Sequence, residues 1–276
     1  MNTMSHEEKN NEPFIEDPGV RQTRLRRRAL IGQILVGAIL IILWELLTRI
    51  GWMDSYYWSS PSTIVRTGWT AMMQGSLLQD MAYTSGATIL GFVTGTAAGY
   101  LLGLSFWWSA LYSRIFEPYM IAFNAVPKLA LAPVLVIMFG IGFDSKVVLA
   151  FLMTIIVAAI AAYSGVQNVD PDLEKMLLSL GAKRRHVFMK IVVPTTFPWI
   201  ASILKINISL ALAGTIVGEF ISSRQGIGRM ILYAGQVMNI DLVWVGVVVL
   251  SILSIVMYLG TVWLEHVLMK GRASKS

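Results

Sequence analysis

The residues in this chain that could do chemistry are few, and most are cations rather than nucleophiles. The 276 residues include no cysteine. That excludes a disulfide framework, a thiolate nucleophile and a cysteine metal site. His6, His186 and His266 are scattered and give no ligand-like spacing. No G-x-x-x-x-G-K-[ST] run occurs, so the chain has no P-loop to cradle nucleotide phosphates. No paired carboxylates, histidine ligands or activated nucleophile converge at one place, as a membrane-embedded enzyme would need. What remains is one basic segment and a handful of isolated charges inside apolar runs. The segment is 170–198, DPDLEKMLLSLGAKRRHVFMKIVVPTTFP. It is too patterned for a linker and too charged for lipid. Its chemistry is that of a docking surface.

The isolated charges come next, because an ionisable group within a span is expensive and marks function by default. Glu45 and Arg49 are one turn apart and predict an i,i+4 pair. Glu117 precedes Pro118 and is expected at a helix start. Lys205 is placed to snorkel toward headgroups or to line a pathway. Lys128 stands between Pro127 and Pro133, where broken backbone lines cavities in membrane proteins, and a cation there suits an anionic solute. Glu219 precedes a glycine turn, where it is expected to pair with Arg224 or to cap a gate. Lys128, Pro127, Pro133, Lys205 and Glu219 are the pathway candidates, with packing as the alternative for each.

The elements that must position these groups follow from composition. The chain is 55% hydrophobic and 14% charged, against roughly 25% charged for a soluble domain. The net charge of +6 is spread between apolar runs, which points to membrane topology rather than nucleic acid. Apolar runs long enough to span lie at 29–50, 83–106, 115–139, 146–167, 196–219 and 242–265. The first fits a span better than a signal h-region. The third carries Pro118, Pro127 and Pro133 and is expected to be kinked or broken. The second carries Gly86, Gly91, Gly95, Gly99 and Gly103, a small-residue face for close helix packing. Lysine and arginine asymmetry places both termini and the 168–195 loop in the cytoplasm. The expected organisation is a disordered basic tail over 1–28, a six-span all-α domain over 29–267 and a short tail over 268–276. On the other side, 220–241 holds a glycine turn and a short helix near 229–238.

Within the loop, Asp170 is a plausible N-cap and Pro171 a first helical residue. Leu173, Met176, Leu177 and Leu180 follow at i, i+3, i+4 and i+7, a single apolar stripe. Gly181 can end this helix as a C′ residue. A second short helix is expected through Val187, Phe188 and Ile191, stopping before Pro194. An interfacial hairpin with a positive-inside loop would show the same pattern.

The spacing Gly181, nine residues, Ile191, one residue, Val193-Pro194 resembles the EAA signature of permease subunits in binding-protein-dependent ABC importers. Ser60-Pro61-Ser62, Thr84, Gly91-Phe92, Glu117-Pro118, the run Val126 to Pro133, Phe139-Gly-Ile-Gly142, Gly218-Glu219-Phe220 and Gly226-Ile-Gly228 are similar to its nitrate, sulfonate and taurine branch. The resemblance covers about 60–265. It implies the type I, MetI-like permease fold in the cytoplasmic membrane of a prokaryote, with no cofactor on this chain. It implies ATP and magnesium on a separate cytoplasmic ATPase, an extracytoplasmic solute-binding protein, a second permease copy as a homodimer, and lipid around them. Leu173, Glu174, Met176, Leu177, Leu180, Gly181, Ala182, Ile191 and Pro194 would form the ATPase-coupling loop. The family glutamate lies six residues before the glycine, where this chain has Lys175, with Glu174 beside it; Met176 and Leu177 replace two alanines. The apolar dock therefore carries over more readily than an acidic anchor. Solutes of the family include small anions, bicarbonate and pyrimidine vitamin precursors. A secondary transporter would show internal repeats with matching half-spans, and none is visible.

Overall fold

The computed structural model describes residues 18–273, and every regular element among them is helical. The 1–17 part of the expected tail and residues 274–276 lie outside the described residues. The chain divides into two units, 1–62 and 63–276.

In the first unit, α1 runs Pro18–Ile50. It begins well before the span expected at 29, so 18–28 is helical rather than an unstructured tail. The alternation of good helix formers such as Leu25, Arg26, Arg27 and Ala29 permits this. A short α2, Ser55–Trp58, is capped by Asp54, whose Oδ1 accepts from the Tyr56 N–H at 2.9 Å. The Glu45–Arg49 pair forms, with Nε to Oε1 at 2.7 Å. Glu45 also accepts from the Ser62 N–H at 3.0 Å and from its hydroxyl at 2.8 Å.

At the boundary of the units begins α3, Pro61–Met73. Then come α4 (Ser76–Ser105) and a 3-10 turn, Phe106–Trp108. The third apolar run is broken, as its prolines predict. Here α5 (Ala110–Ala125) and the stretch Lys128–Phe139, which includes α6 (Ala132–Phe139), meet at 77°. Val126 is extended (φ −63°, ψ 132°) because Pro127 disfavours helix in the residue before it. Glu117 lies well inside α5, not at its start, since Ser109 caps the helix eight positions earlier in the fold's order. Its carboxylate accepts from the Tyr163 hydroxyl at 3.1 Å.

The remaining helices are α7 (Phe143–Gln167), α8 (Pro171–Ser179), α9 (Arg184–Val187), α10 (Val193–Ile221), α11 (Ile227–Gln236) and α12 (Ile240–Ala273). The tail expected at 268–276 is thus helical to Ala273. Five of the described helical stretches are long and apolar enough to span a membrane, or six if the bent pair is counted as one span. Helices suit that setting because they satisfy their own backbone.

The core of the second unit is α4 packed on α7, with α10 laid across both. Backbone proximity, not side-chain bulk, makes the α4–α7 seam. A Cβ on Gly91 would meet the Ala150 Cβ at 2.4 Å, and one on Gly99 the Ile155 carbonyl at 2.2 Å. One on Gly103 would meet the Ala159 carbonyl at 2.5 Å. Small residues face them from α7: Ala150, Thr154, Ala158 and Ala162 are all fully buried. Gly86 departs from the expected stripe, with only the Phe143 ring at 3.5 Å. Gly99→Ala should therefore force the helices apart and cost about 1–3 kcal/mol, whereas Gly86→Ala should leave the thermal midpoint of the detergent-solubilised protein unchanged or slightly raised. Equal midpoints for the two variants would remove the seam from this account.

Candidate functional site

Two polar assemblies stand at opposite ends of α10. Its 29 residues separate them by roughly 40 Å at 1.5 Å per residue.

At one end is the 168–195 loop. Asp170 caps α8, accepting from the Asp172 N–H at 2.8 Å, with Pro171 as the first helical residue. Gly181 (φ +84°) ends α8 in a Schellman arrangement. The Ala182 N–H donates to the Leu177 carbonyl and the Gly181 N–H to the Leu178 carbonyl, both at 3.0 Å. Leu173, Met176 and Leu180 are exposed, Leu180 at 75%, while Leu177 is half-buried. Half-buried Ala182 joins Leu177, Leu180 and Gly181 in a hollow of about 500 Å³ rimmed by Lys183, His186 and Lys190. Glu174 lies half-buried in the first turn of α8, and Lys175 pairs with Asp172 at 3.2 Å.

The second loop helix does not stop before Pro194. After α9 the chain makes a π-turn, Phe188–Val192, and continues into α10. Pro194 falls in the first turn of α10, just after the wider turn in which the Val193 N–H reaches back five residues to the Phe188 carbonyl. This root is anchored, not free. Ile191 packs inward with Val192, Leu104 and Val169. The Phe188 ring lies 5.5 Å from Trp107 and 5.4 Å from Trp108. The Tyr100 hydroxyl is 3.1 Å from that of Thr196. The loop residues named from sequence thus divide in two: Leu173, Met176 and Leu180 present apolar surface, whereas Ile191 and Pro194 belong to the anchor.

At the other end, Glu219 is fully buried and makes no pair with Arg224. Its Oε1 accepts from the Thr84 hydroxyl at 2.8 Å, and its Oε2 from the Gly228 N–H at 2.7 Å. The Thr84 oxygen in turn accepts from the Ile227 N–H at 3.0 Å, and Asp80 Oδ1 from the Gly226 N–H at 2.6 Å. Three successive N–H groups at the start of α11 are thus held by α4 and α10. A helix start needs such partners when it is buried. Gly226 (φ +112°) must be glycine: a Cβ there would stand 2.3 Å from the Glu219 carboxylate. Beside it, fully buried Lys146 donates to the Ile141 carbonyl at 3.1 Å, the Ser145 hydroxyl at 3.2 Å and the Ser222 carbonyl. Lys146 thereby ties α7 to the end of α10.

The sequence reading missed this knot. Asp80 and Thr84 show the right i,i+4 spacing on one helix, but their partners are more than 130 residues away, at separations of 146 and 135. Lys128 lies at the break, its Nζ donating to the Asn124 carbonyl at 3.1 Å in the last turn of α5. Pro127 and Pro133 shape that break. Lys205 pairs with Glu265 of α12 at 2.9 Å instead of reaching for headgroups. The structure does not bring Lys128, Lys205 and Glu219 together through any shared contact among the described residues. No cluster of three metal-ligating side chains occurs among those residues either.

A bundle of apolar helices with one broken span, a glycine-ended loop at one end and a capped hairpin helix at the other is the architecture of a polytopic membrane protein. The family described as binding-protein-dependent transport system inner membrane component matches residues 95–270. The chain belongs to that family and is the membrane-spanning subunit of an ABC importer. It is 28% identical over 236 residues to the formylaminopyrimidine transport permease ThiX of Halalkalibacterium halodurans, covering 85% of this chain and 93% of that one. It is 28% identical over 214 residues to SsuC of Escherichia coli, a permease named for aliphatic sulfonates, covering 78% and 81%. A crystal structure of a bacterial ABC transporter involved in alginate import shares the fold, with a TM-score of 0.62 at 14% identity over 89% of this chain and 98% of that one.

Glu219→Ala should orphan the Gly228 N–H and the Thr84 hydroxyl, at about 1–3 kcal/mol for each buried group left unpaired. The expected readout is a lowered thermal midpoint with proteolysis appearing first at 222–228. A wild-type midpoint and cleavage pattern would contradict the capping role.

Proposed function

We propose that this chain forms the solute pathway of its importer and is driven by a separate ATPase seated on the 168–195 loop. The observation that carries this reading is the loop's construction. An apolar stripe, Leu173, Met176 and Leu180, is held out from a capped helix, while the same segment's root is packed into α4 and α7 through Phe188, Ile191 and Val192. A surface exposed at its tip and fixed at its base can receive force and pass it to α10. The missing P-loop supports an external energy source. Lysine and arginine asymmetry supports a cytoplasmic loop, with both termini on that side. An extracytoplasmic binding protein then delivers solute to the knot end, and two copies of the chain enclose the pathway.

The solute on this reading is a small organic anion of the sulfonate type. The likeness to SsuC supports it. The likeness to ThiX, named for formylaminopyrimidine, favours a neutral pyrimidine as the second reading.

Leu180→Asp should leave the chain in the membrane at wild-type level and lower ATP-driven uptake by about ten-fold or more, the equivalent of ~1.4 kcal/mol of lost docking. Uptake in proteoliposomes assembled with the ATPase and binding protein reads this directly. Unchanged uptake would sink the coupling role.

A further inference from the structure

Beside the knot lies a cleft of about 560 Å³ between α3, the start of α4, α11 and the start of α12. That volume suits a small molecule. Its charged lining consists of Arg66, Arg229 and Asp80. Neither guanidinium is within salt-bridge distance of a carboxylate among the described residues, although Arg229 lies near enough to Asp80 for the two charges to interact. Asp80 has one oxygen committed to the Gly226 N–H. Two cations against one carboxylate leave the lining with a single positive charge. The Gln74 and Asn239 side-chain amides add neutral donors, whereas the Thr70 hydroxyl already donates to the Arg66 carbonyl at 3.0 Å.

The cleft is also built on fixed backbone. Arg229 follows directly on the three N–H groups held by Asp80, Thr84 and Glu219. Its position on the first turn of α11 is therefore set by buried hydrogen bonds from α4 and α10. Arg66 stands across the cleft on α3, an independent helix. Guanidinium forks match planar and tetrahedral oxyanions in geometry, and these two exposed arginines stand on separate helices that line the same cleft.

We propose that this cleft binds the charged group of a small organic monoanion, a sulfonate or carboxylate, at the end of the bundle opposite the coupling loop. This rests on the import reading and assigns a solute site to the permease itself, separate from that of the binding protein. Lipid headgroups offer similar oxyanion chemistry, so the test separates the two sources.

The full chain, purified into phosphatidylcholine nanodiscs without binding protein, is titrated with butanesulfonate by calorimetry. Wild type should bind, and more weakly as salt rises. Arg66→Gln and Arg229→Gln should each weaken binding by about ten-fold, the loss of one charged hydrogen-bonding group, with thermal midpoints at the wild-type value. Arg224→Gln, an exposed cation of the same end outside the cleft, should bind as wild type does. Absence of wild-type binding, or equal binding by the Arg66 and Arg229 variants, overturns the proposal. So does binding that disappears in phosphatidylglycerol nanodiscs, which would assign the guanidinium pair to a headgroup. The import reading fails on a different result, uptake indifferent to Leu180→Asp, so the two failures are distinguishable.

Discussion

The distance between α4 and α7 is the constraint on which the second unit depends. Apolar side chains gain little by leaving lipid for one another, so helices in a membrane associate through close packing and shared polar contacts. Glycine at 91, 95, 99 and 103 lets α4 approach until its missing side chains would overlap the α7 backbone. Alanine and threonine on α7 keep the seam tight. The paired helices then present a groove that α10 fills. Gly214 lets α10 approach Ala150 and Met153 of α7. Thr88 and Thr215 hydroxyls meet at 3.1 Å, and the Asn207 amide donates to Thr96 at 3.0 Å. The Asn207 amide also donates to the Thr154 carbonyl of α7 at 3.3 Å, so this one side chain bridges both helices.

One consequence is that α10 is held along its length. At the loop end it grows out of a π-turn clamped by Trp107, Trp108 and Tyr100. At the far end its Ser222 carbonyl takes Lys146 and its Glu219 carboxylate takes the start of α11. On the proposed function, a push at the loop tip is carried along a helix already braced against two others. The helical hairpin α10–α11 would then move as one body, because its elbow is closed by hydrogen bonds in a dry environment where losing them is costly. The broken span is the contrast. Around Val126 and Pro127 the backbone leaves the helix, and a lysine side chain serves the last turn.

Much of this was legible in the sequence wherever the signal was local. Span lengths, the proline break, Asp170 as a cap, Gly181 as a helix stop and the stripe at 173–180 each depend on residues within one or two turns of each other. The five or six apolar spans and the all-α membrane class follow from the same short-range patterns, whereas the type I permease fold is implied by the family resemblance. The errors are local as well. Pro194 was expected to end a helix, but it falls in the first turn of α10 just after a π-turn, and no short-range rule announces a π-turn. Glu117 was expected at a helix start because Pro118 follows it, yet Ser109 supplies the cap instead. The knot was out of reach for another reason. Glu219 reads as an ion-pair partner for nearby Arg224 or as a gate cap, and nothing in the local sequence singles out Lys146. Only the packing of α4, α7 and α10 shows that their partners are threonine, carbonyl oxygens and glycine N–H groups. The glycines at 226 and 228 were the available hint, since turn glycines beside a carboxylate allow backbone N–H groups to approach it.

The central claim is that the loop tip is a seat for an ATPase while the loop root belongs to the permease. The most direct measurement is cross-linking from single cysteines, which the cysteine-free chain permits without background. Leu180→Cys and Ile191→Cys, each carrying a short photo-activated cross-linker, are assembled with the partner ATPase and illuminated. The account predicts an adduct between Leu180→Cys and the ATPase, and only internal adducts from Ile191→Cys. An ATPase adduct from neither position, or one from both alike, would contradict it.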